Sequence, residues 1–417
     1  MKIKALNGFK DILPEETALW RQVEETAREV FARFAFAEIR LPILEKTELF
    51  ARSIGEATDI VEKEMYTFTG KQITMRPEAT ASLLRAYIQH GLYVHRPVQR
   101  LFTIGPMFRH ERPQKGRLRQ FTQLDAEILG SANARIDAEL IAMSSFFLKK
   151  LGLEVSLELN SLGCPACRPA FRSSLLKFME VRHQDLCSDC NRRLTTNPLR
   201  VLDCKQKKCR TAAADAPSIQ ENLCPDCAEH FDLVQEGLAQ LQVPYRLNRF
   251  MVRGLDYYTR TTFEFLTGDL GAQAAVCAGG RYDGLIEQLG GPKLPGIGFA
   301  TGLERLILLL QQKINRQARQ NEVDLFVAGF GEQASGFAFS LVHQLRLAGL
   351  RTAWDAEGKS LKSQMKQADK TGAAFVLILG DDEFASKSGI LRNMNTGEER
   401  QIGLQADEIA DFLSAAV

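Results

Sequence analysis

Between Arg109 and Arg119 the chain carries Arg109, Arg112, Lys115, Arg117 and Arg119 against a single acid, Glu111. A guanidinium group offers planar, paired donors that match the oxygens of phosphate and carboxylate, so a cationic connection of this kind is a place for anions. Two more arginines stand in glycine-rich surroundings: Arg253 in VRGLDYYTR, and Arg305 just after Gly296, Gly298 and Gly302 in GIGFATGLER. Glycine allows close approach of backbone to ligand, and a helix start is favourable to phosphate, so Arg305 is suited to a phosphate tail. Bringing a carboxylate up to a phosphorus centre gathers negative charge at one point, and fixed cations are what such chemistry requires.

The second chemistry-bearing group is sulfur. Eight of the nine cysteines fall between residues 160 and 243, as Cys164/Cys167, Cys187/Cys190, Cys204/Cys209 and Cys224/Cys227. Three C-x-x-C units, with Cys167 and Cys187 separated by a gap that fits the C-x₂-C-x₁₅₋₂₀-C-x₂-C template, point to two tetrathiolate zinc sites using all eight. The alternative is a helical insert with reduced thiols and no metal, because spacers such as PAFRSSLLKFMEV read as ordinary helix. Either role is structural. Cys277 reads as a small buried residue. With six histidines and no Ser/His/Asp grouping, neither nucleophilic nor metal-assisted hydrolysis is indicated.

These groups need elements to hold them. PEETALWRQVEETAREVFARFAF spaces Leu19, Val23, Ala27, Val30, Phe31 and Phe34 as one face of a helix, with Glu15 and Glu16 at its positive end. AEIRLPILEKTELF follows as a strand interrupted by Pro42, a candidate dimer edge. Two strands, in PVQRLFTIGPMFRHE and QFTQLDAEIL, flank the cationic loop. The cysteine block reads as an insertion, since glycine-rich strand patterning resumes from Tyr245 to Leu310 with a helix starting near Gly302. QQKINRQARQNE then reads as a linker or exposed helix end. The last block alternates strand and helix in βαβαβ order, which predicts a small, mostly parallel sheet, without the G-x-G-x-x-G of a dinucleotide fold.

The 417 residues are 45% hydrophobic and 25% charged, ordinary globular usage that excludes a disordered or collagenous chain and suits several domains. Lys plus Arg (53) nearly balances Asp plus Glu (51), so a polyanion would be held by a local patch. MKIKALNGFKDILPEE has no apolar run of leader length and AAFVLILG is too short to span a bilayer. A cytoplasmic protein with no membrane partner is expected.

Taken in order, TMRPEATASLLR, FRHERPQKGRLRQFTQLDAE, VRGLDYYTRTTFEF with VCAGGRYDGL, and GIGFATGLERL resemble the histidyl-tRNA synthetases, from NGFKDILPEE to the C-terminus. FRHERP…RQFTQLDAE is similar to the second class II motif and GLERL to the third; RGLDYY and AGGRYDG resemble segments particular to the histidine enzymes and their catalytic paralogues. The resemblance implies an α/β protein with an α+β core: a class II synthetase-like antiparallel sheet with flanking helices, a helical cysteine-bearing insertion and a C-terminal βαβ anticodon-binding-like domain. It divides the chain into a catalytic core at 1–159 and 244–320, an insert at 160–243 and an anticodon-binding domain at 321–417.

By the same resemblance, the catalytic residues are Arg109, Arg253 and Arg305. Arg109 would hold the α-phosphate and carboxylate, Arg253 the α-phosphate from the opposite side, and Arg305 with Arg117 the phosphate tail of ATP. Histidine would be bound by Glu78, Ala79, Thr80, Arg109, Gln123, Glu127, Arg253, Tyr257 and Tyr258, with Glu127 and the tyrosines at the imidazole and Glu78 and Gln123 near the α-amino group. Ala79 stands where the family commonly has glycine. Gly279 and Gly280 of the second histidine-specific segment, which continues Arg281, Tyr282, Asp283, would let backbone line the pocket. Arg112, Gln114 and Lys115 would meet the acceptor end of histidine tRNA, Gln114 reading its extra guanine, and Lys359, Lys362 and Lys366 would face RNA from one helix. ATP, Mg²⁺ and L-histidine are the implied small molecules, and a homodimer through the first helix and the Pro42 strand is the implied assembly. A histidine-sensing regulatory paralogue of ATP phosphoribosyltransferase is the alternative of a different class, although such proteins lack the tRNA domain and usually the full set of arginines. A zinc-stabilised RNA-binding protein without catalysis would leave the glycine–arginine motifs unexplained.

Overall fold

The structure is a computed structural model that describes residues 3–54, 58, 60–68, 70–196, 198–253, 257–268, 275–313 and 323–416. Contacts divide it into two units, Met1–Lys313 and Ile314–Val417.

In the first unit, α1 (Pro14–Arg33) starts at a proline, which needs no helical hydrogen bond there, and buries Trp20, Val23, Ala27, Val30 and Phe31 along one stripe. The segment read as one strand broken at Pro42 is instead three elements. These are β1 (Ala37–Glu38), β2 (Leu44–Lys46) and helix α2 (Thr47–Ile54). Proline donates nothing to a ladder, and the carbonyls of Leu41 and Pro42 are taken by the Arg76 guanidinium; beyond Thr47, Phe50 and Ile54 recur at helical spacing and are buried. With β3 (Tyr66–Phe68) and β4 (Ile73–Met75), β2 forms a three-stranded sheet, β2-β4-β3.

Helices α3 (Thr80–Gln89) and α4 (Leu92–His95) lead to the hairpin β5 (Gln99–Phe108) and β6 (Gln120–Leu129), as the alternation predicted. After α5 (Ala134–Lys150) and β7 (Ser156–Ser161) the insert contributes α6 (Arg168–Glu180), α7 (Ser188–Thr196), α8 (Lys207–Ala212) and α9 (Pro225–Gln240). The chain returns through β8 (Tyr245–Leu247), β9 (Thr259–Leu266), β10 (Ala275–Arg281), α10 (Leu285–Gln288), β11 (Gly296–Gly302) and α11 (Leu303–Lys313). Eight strands assemble as β1-β5-β6-β11-β10-β9-β7-β8, antiparallel throughout except for the parallel pairs at its two edges. This is the antiparallel sheet expected of the core.

One face of that sheet is covered by α1, α5, α9 and α11. Phe31, Leu140, Val234 and Leu306 meet Phe102, Leu124, Ala126, Ile128, Phe263 and Phe299 there in a single apolar cluster. A buried Arg281 on β10 staples the helices to the sheet. Its Nη2 lies 2.6 Å from Oδ1 of Asp137 on α5, and Nε2 of His230 on α9 lies 2.9 Å from Oδ2 of the same carboxylate. Burial pushes the Asp137 carboxyl up, but Arg281 and His230 outweigh it and hold the group below its ordinary range. Arg281 is therefore a fold residue within the segment that was expected to be histidine-specific.

In the second unit, β12 (Val323–Gly329), α12 (Glu332–Leu347), β13 (Thr352–Trp354), α13 (Leu361–Lys370) and β14 (Ala373–Leu379) follow the predicted alternation. After α14 (Asp381–Ala385) the chain adds β15 (Ser388–Asn393) and β16 (Glu399–Gly403), then α15 (Ala406–Ala416). The order is β13-β12-β14-β15-β16, with β15 and β16 antiparallel, so the sheet is mixed rather than mostly parallel. The expected linker falls largely on residues 314–322, outside the described residues. No helix among the described residues is long and apolar enough to cross a membrane.

Candidate active site

The free face of the large sheet is built by strand alternation. Along β6, Leu124, Ala126 and Ile128 enter the core, so Phe121, Gln123, Asp125 and Glu127 share the opposite face. The facing strand β11 alternates Gly298, Ala300 and Gly302 with Ile297, Phe299 and Thr301, and its register sets Gly298 against Glu127, Ala300 against Asp125 and Gly302 against Gln123. Small residues therefore stand beside acids. A Cβ on Gly298 would lie 1.5 Å from Glu127 Oε2. The result is a cleft of about 380 Å³, within the range of about 300–1,000 Å³ typical for small ligands.

One end of the cleft is acidic and buried. Glu127 accepts from Thr80 Oγ1 at 2.7 Å and from the Tyr282 hydroxyl, and Glu78 accepts the N–H groups of Thr80 and Ala81 at 2.7 and 2.9 Å, capping the first turn of α3. Burial, reinforced by the neighbouring Glu78, pushes the Glu127 carboxyl up to about 8 against its two hydrogen bonds. Burial also raises Glu78, and raises Asp125 well above the carboxylate range with help from Glu127 and Glu78. Tyr257 and Tyr258 lie nearby with ring centroids 4.7 Å apart and planes tilted by 41°, and Tyr257 meets Tyr282 edge-on at 5.8 Å.

The other end is cationic. Arg109 donates to the Pro77 carbonyl at 2.8 Å and covers the Phe121 ring at 5.2 Å. Arg305, in the first turn of α11, is depressed by burial first and then by the charges of Arg117 and Arg109, a crowding of cations that a bound anion relieves. Arg117 pairs with Glu111 at 3.2 Å. Arg253 stands over Tyr258 at 5.1 Å and pairs with Glu264 on β9, opposite Ala278, which pairs in turn with Ala300 beside Asp125. It therefore sits midway along the cleft. Asp256, the ion-pair partner an isolated reading of RGLDYY would choose for Arg253, lies outside the described residues with Gly254 and Leu255.

Among the described residues, three buried polar atoms of the cleft's lining side chains have no hydrogen-bond partner: Gln123 Oε1, Asp125 Oδ2 and Arg253 Nε. Orphaned groups of this kind cost stability unless something binds them. Phe121 to Glu127 spans about 20 Å at ~3.4 Å per residue, long enough for an amino acid and a nucleotide end to end.

The cleft thus gathers Glu78, Thr80, Arg109, Arg117, Gln123, Glu127, Arg253, Tyr257, Tyr258 and Arg305. Ala79 is buried behind it in ordinary helical backbone, φ −101° and ψ −27°, without strain. Arg112, Gln114 and Lys115 are exposed at the hairpin tip, where Gln114 and Arg117 exchange backbone hydrogen bonds. Arg119 instead ties the tip to the N-terminal loop through the Gly8 carbonyl. Gly279 and Gly280 do not line the pocket. A Cβ there would strike the Gly298 carbonyl or Phe263, and the Thr261 carbonyl or Tyr258, so these glycines let neighbouring strands and rings close. Asp125, Tyr282 and Glu304, to which motif reasoning gave no role, also line the cleft, and Glu264 pairs with Arg253. The alternation of QFTQLDAEIL, which sets Asp125 between Gln123 and Glu127 on one face, was the signal for the first.

The cysteines also converge, in a different pairing from the expected template. Cys164 and Cys167 meet Cys224 and Cys227, while Cys187 and Cys190 meet Cys204 and Cys209. The four sulfurs of each set lie within 4.8 Å of one another.

Comparison with known proteins gives the family. The family profile described as Histidyl-tRNA synthetase matches residues 8–165 and 194–306, and that described as Anticodon binding domain matches 324–416. The chain is 62% identical over 410 residues to the histidine–tRNA ligase of Desulfotalea psychrophila, covering 98% of this chain and 95% of the relative. It is 53% identical over 414 residues to that of Trichlorobacter lovleyi, covering 98% of each. The crystal structure of apo S. aureus histidyl-tRNA synthetase superposes with a TM-score of 0.82 at 36% identity, covering 99% of this chain and 100% of that one. A Bacillus halodurans chain titled as an ATP phosphoribosyltransferase regulatory subunit/histidyl-tRNA synthetase shares the fold at 19% identity and a TM-score of 0.65.

Proposed function

We propose residue roles from one premise: the chain belongs to the histidyl-tRNA synthetase family, and its reaction is the ATP-dependent attachment of histidine to tRNA. The regulatory alternative gives way to the relatives' shared name and to the anticodon-binding domain. One observation supports the assignment of roles: a single sheet face graded from buried acids at Glu127 to clustered arginines at Phe121. L-histidine lies at the acidic end, its imidazole between Glu127 and the Tyr257–Tyr258 pair and its α-amino group near Glu78, Gln123 and Asp125. ATP enters with Mg²⁺ on its phosphates as the substrate, its tail against Arg305 and Arg117.

The histidine carboxylate attacks the α-phosphorus, the bond to the bridging oxygen breaks, and pyrophosphate leaves. Arg109 and Arg253 meet the charge on the α-phosphate and carboxylate from two sides, and Arg253, midway along the cleft, is where that charge peaks. In the second step the terminal ribose hydroxyl of tRNA attacks the histidyl carbonyl, the adenylate phosphate oxygen takes the proton, the carbonyl–phosphate bond breaks and AMP leaves. Arg112, Gln114 and Lys115, exposed at the hairpin tip, receive the acceptor end. The core comprises 1–159 and 244–320, the insert 160–243 and the anticodon-binding domain 321–417. Two protomers join through α1 and the Pro42 segment, whose Ile43 and Leu44 are exposed. The protein works in the cytoplasm, and the two four-cysteine sets hold structural zinc.

Arg253→Ala tests the central role. Histidine-dependent ATP–pyrophosphate exchange is expected to fall at least about a hundredfold with circular dichroism unchanged, in line with the loss of one charge-stabilising donor. Near-normal exchange would remove Arg253 from the mechanism.

A further inference from the structure

The two four-cysteine sets occupy different positions relative to the histidine site. Resting on the zinc reading above, we propose that zinc at Cys164, Cys167, Cys224 and Cys227 holds Arg253 and Tyr258, on one wall of the histidine pocket, in place, with Asn160 and Arg168 as the positioning residues. The other set then serves chiefly the insert.

The sulfur geometry suits the metal. Cys164 Sγ lies 3.6 Å from Cys167 Sγ and 3.9 Å from Cys224 Sγ, and a tetrahedral site with Zn–S bonds of about 2.3 Å has sulfur–sulfur edges of about 3.8 Å. The N–H of Cys224 donates to Cys167 Sγ at 3.2 Å, and that of Cys187 to Cys209 Sγ at 3.2 Å, so each set has a backbone donor directed at a sulfur, as thiolate ligands favour.

The first set brackets the catalytic segment. Just before Cys164, Leu162 donates to the Arg260 carbonyl at 2.7 Å and Arg260 returns a bond to the Gly163 carbonyl at 2.8 Å, fixing Arg260 at a φ of 50°, a left-handed conformation that a residue with a Cβ adopts only when held. Just after Cys167, the Arg168 guanidinium donates to the Tyr258 carbonyl. At the segment's other end, Asn160 Nδ2 donates to the Met251 carbonyl at 3.0 Å, and Asn160 is itself held by Gln220, four residues before Cys224, at 2.9 Å. Zinc joining Cys164 to Cys224 therefore locks the two chain ends that grip residues 251 and 258–260. The second set is sunk in the insert's own apolar cluster with Phe171, Leu175 and Met179. Its contact with the chain leading to the site is Phe250, packed on that cluster, and Arg249, whose guanidinium donates to the Ala214 carbonyl at 2.7 Å.

The test uses full-length protein purified without chelator: zinc by emission spectroscopy, the thiolate charge-transfer band after cobalt replacement, histidine affinity by calorimetry, and the KM for histidine and ATP in pyrophosphate exchange. Two zinc ions per chain are expected in the parent, and one each in Cys164→Ser/Cys167→Ser and Cys187→Ser/Cys190→Ser. The first variant should weaken histidine binding about tenfold or more, the effect usual for losing support around a site, and the second about twofold or less. Arg168→Ala should keep both zinc ions and reproduce the histidine defect, with partial rescue in Arg168→Lys, and it provides the test if the first variant does not fold. Absence of zinc, iron in its place, or disulfide-linked cysteines would overturn the zinc reading itself. Two zinc ions in the parent with normal histidine binding in Arg168→Ala would overturn the positioning proposal and leave the zinc reading standing.

Discussion

Glu127 carries a conflict between stability and function. Its carboxyl, buried between Thr80 and Tyr282 with Glu78 nearby, is pushed up to about 8, whereas the unfolded chain titrates it near its ordinary 4.5. The folded value lies above the unfolded one, so this group's contribution to stability is complete below 4.5 and is lost as pH rises through about 8. Glu127→Gln is therefore expected to melt above the parent at pH 9, by a few kcal/mol at about 1.4 kcal/mol per pKa unit, with the difference vanishing at pH 4. The same variant should raise the histidine KM about ten- to hundredfold, the range for leaving a buried hydrogen-bonding partner unsatisfied. Thermal melts at the two pH values and exchange kinetics check both limbs. At this scale the sequence was informative where a motif named the residue, as for Glu127 and Arg305. It was less so where the residue's importance comes from its strand neighbours: Asp125 has no motif of its own, and Tyr282 reaches Glu127 only through the β10–β11 arrangement.

The elements that position the cleft were legible when the pattern was local. The β5–β6 hairpin follows from alternation, and α11 from glycines ending where an apolar helical face begins. The Pro42 segment reads as one strand, but its two short strands belong to different sheets and a helix follows them, a division that depends on Arg76 reaching back from a later loop. The same dependence on distant partners governs the staple of Asp137, Arg281 and His230. Arg281 and Asp137 are fully buried, and removing one partner of such a pair costs about 3–5 kcal/mol by leaving the other charge unpaired. Arg281→Met should lower stability in urea unfolding by that order. Because the Asp137 carboxyl is held below its ordinary 3.8, the staple is complete above that value and is lost as pH falls below it. The parent should therefore lose more stability than Arg281→Met between pH 5 and pH 2, and equal losses would remove the pair from the acid limb.

For the whole molecule, the spacing of cysteines announced metal-like pairs but could not say which pairs meet, since convergence across the insert is set by how its helices fold. Similarly, βαβ patterning announced the second unit but not its antiparallel β15 and β16. That unit presents exposed Lys359, Lys362 and Lys366 along and just before α13. Replacing all three with glutamate should weaken tRNA charging at low tRNA and reduce its salt dependence while leaving pyrophosphate exchange unchanged, because phosphate contacts act on RNA binding alone. Aminoacylation measured across a salt series distinguishes this from a solvated helix face, which would show no change.

The account's central claim is that one cleft joins histidine to ATP through its acidic and arginine-lined ends. Pyrophosphate exchange without tRNA, run on the parent protein with each of the twenty amino acids, tests it most directly. Exchange with histidine alone, lost in Arg253→Ala, is the predicted result. Exchange with another amino acid, or histidine binding without any exchange, would contradict it.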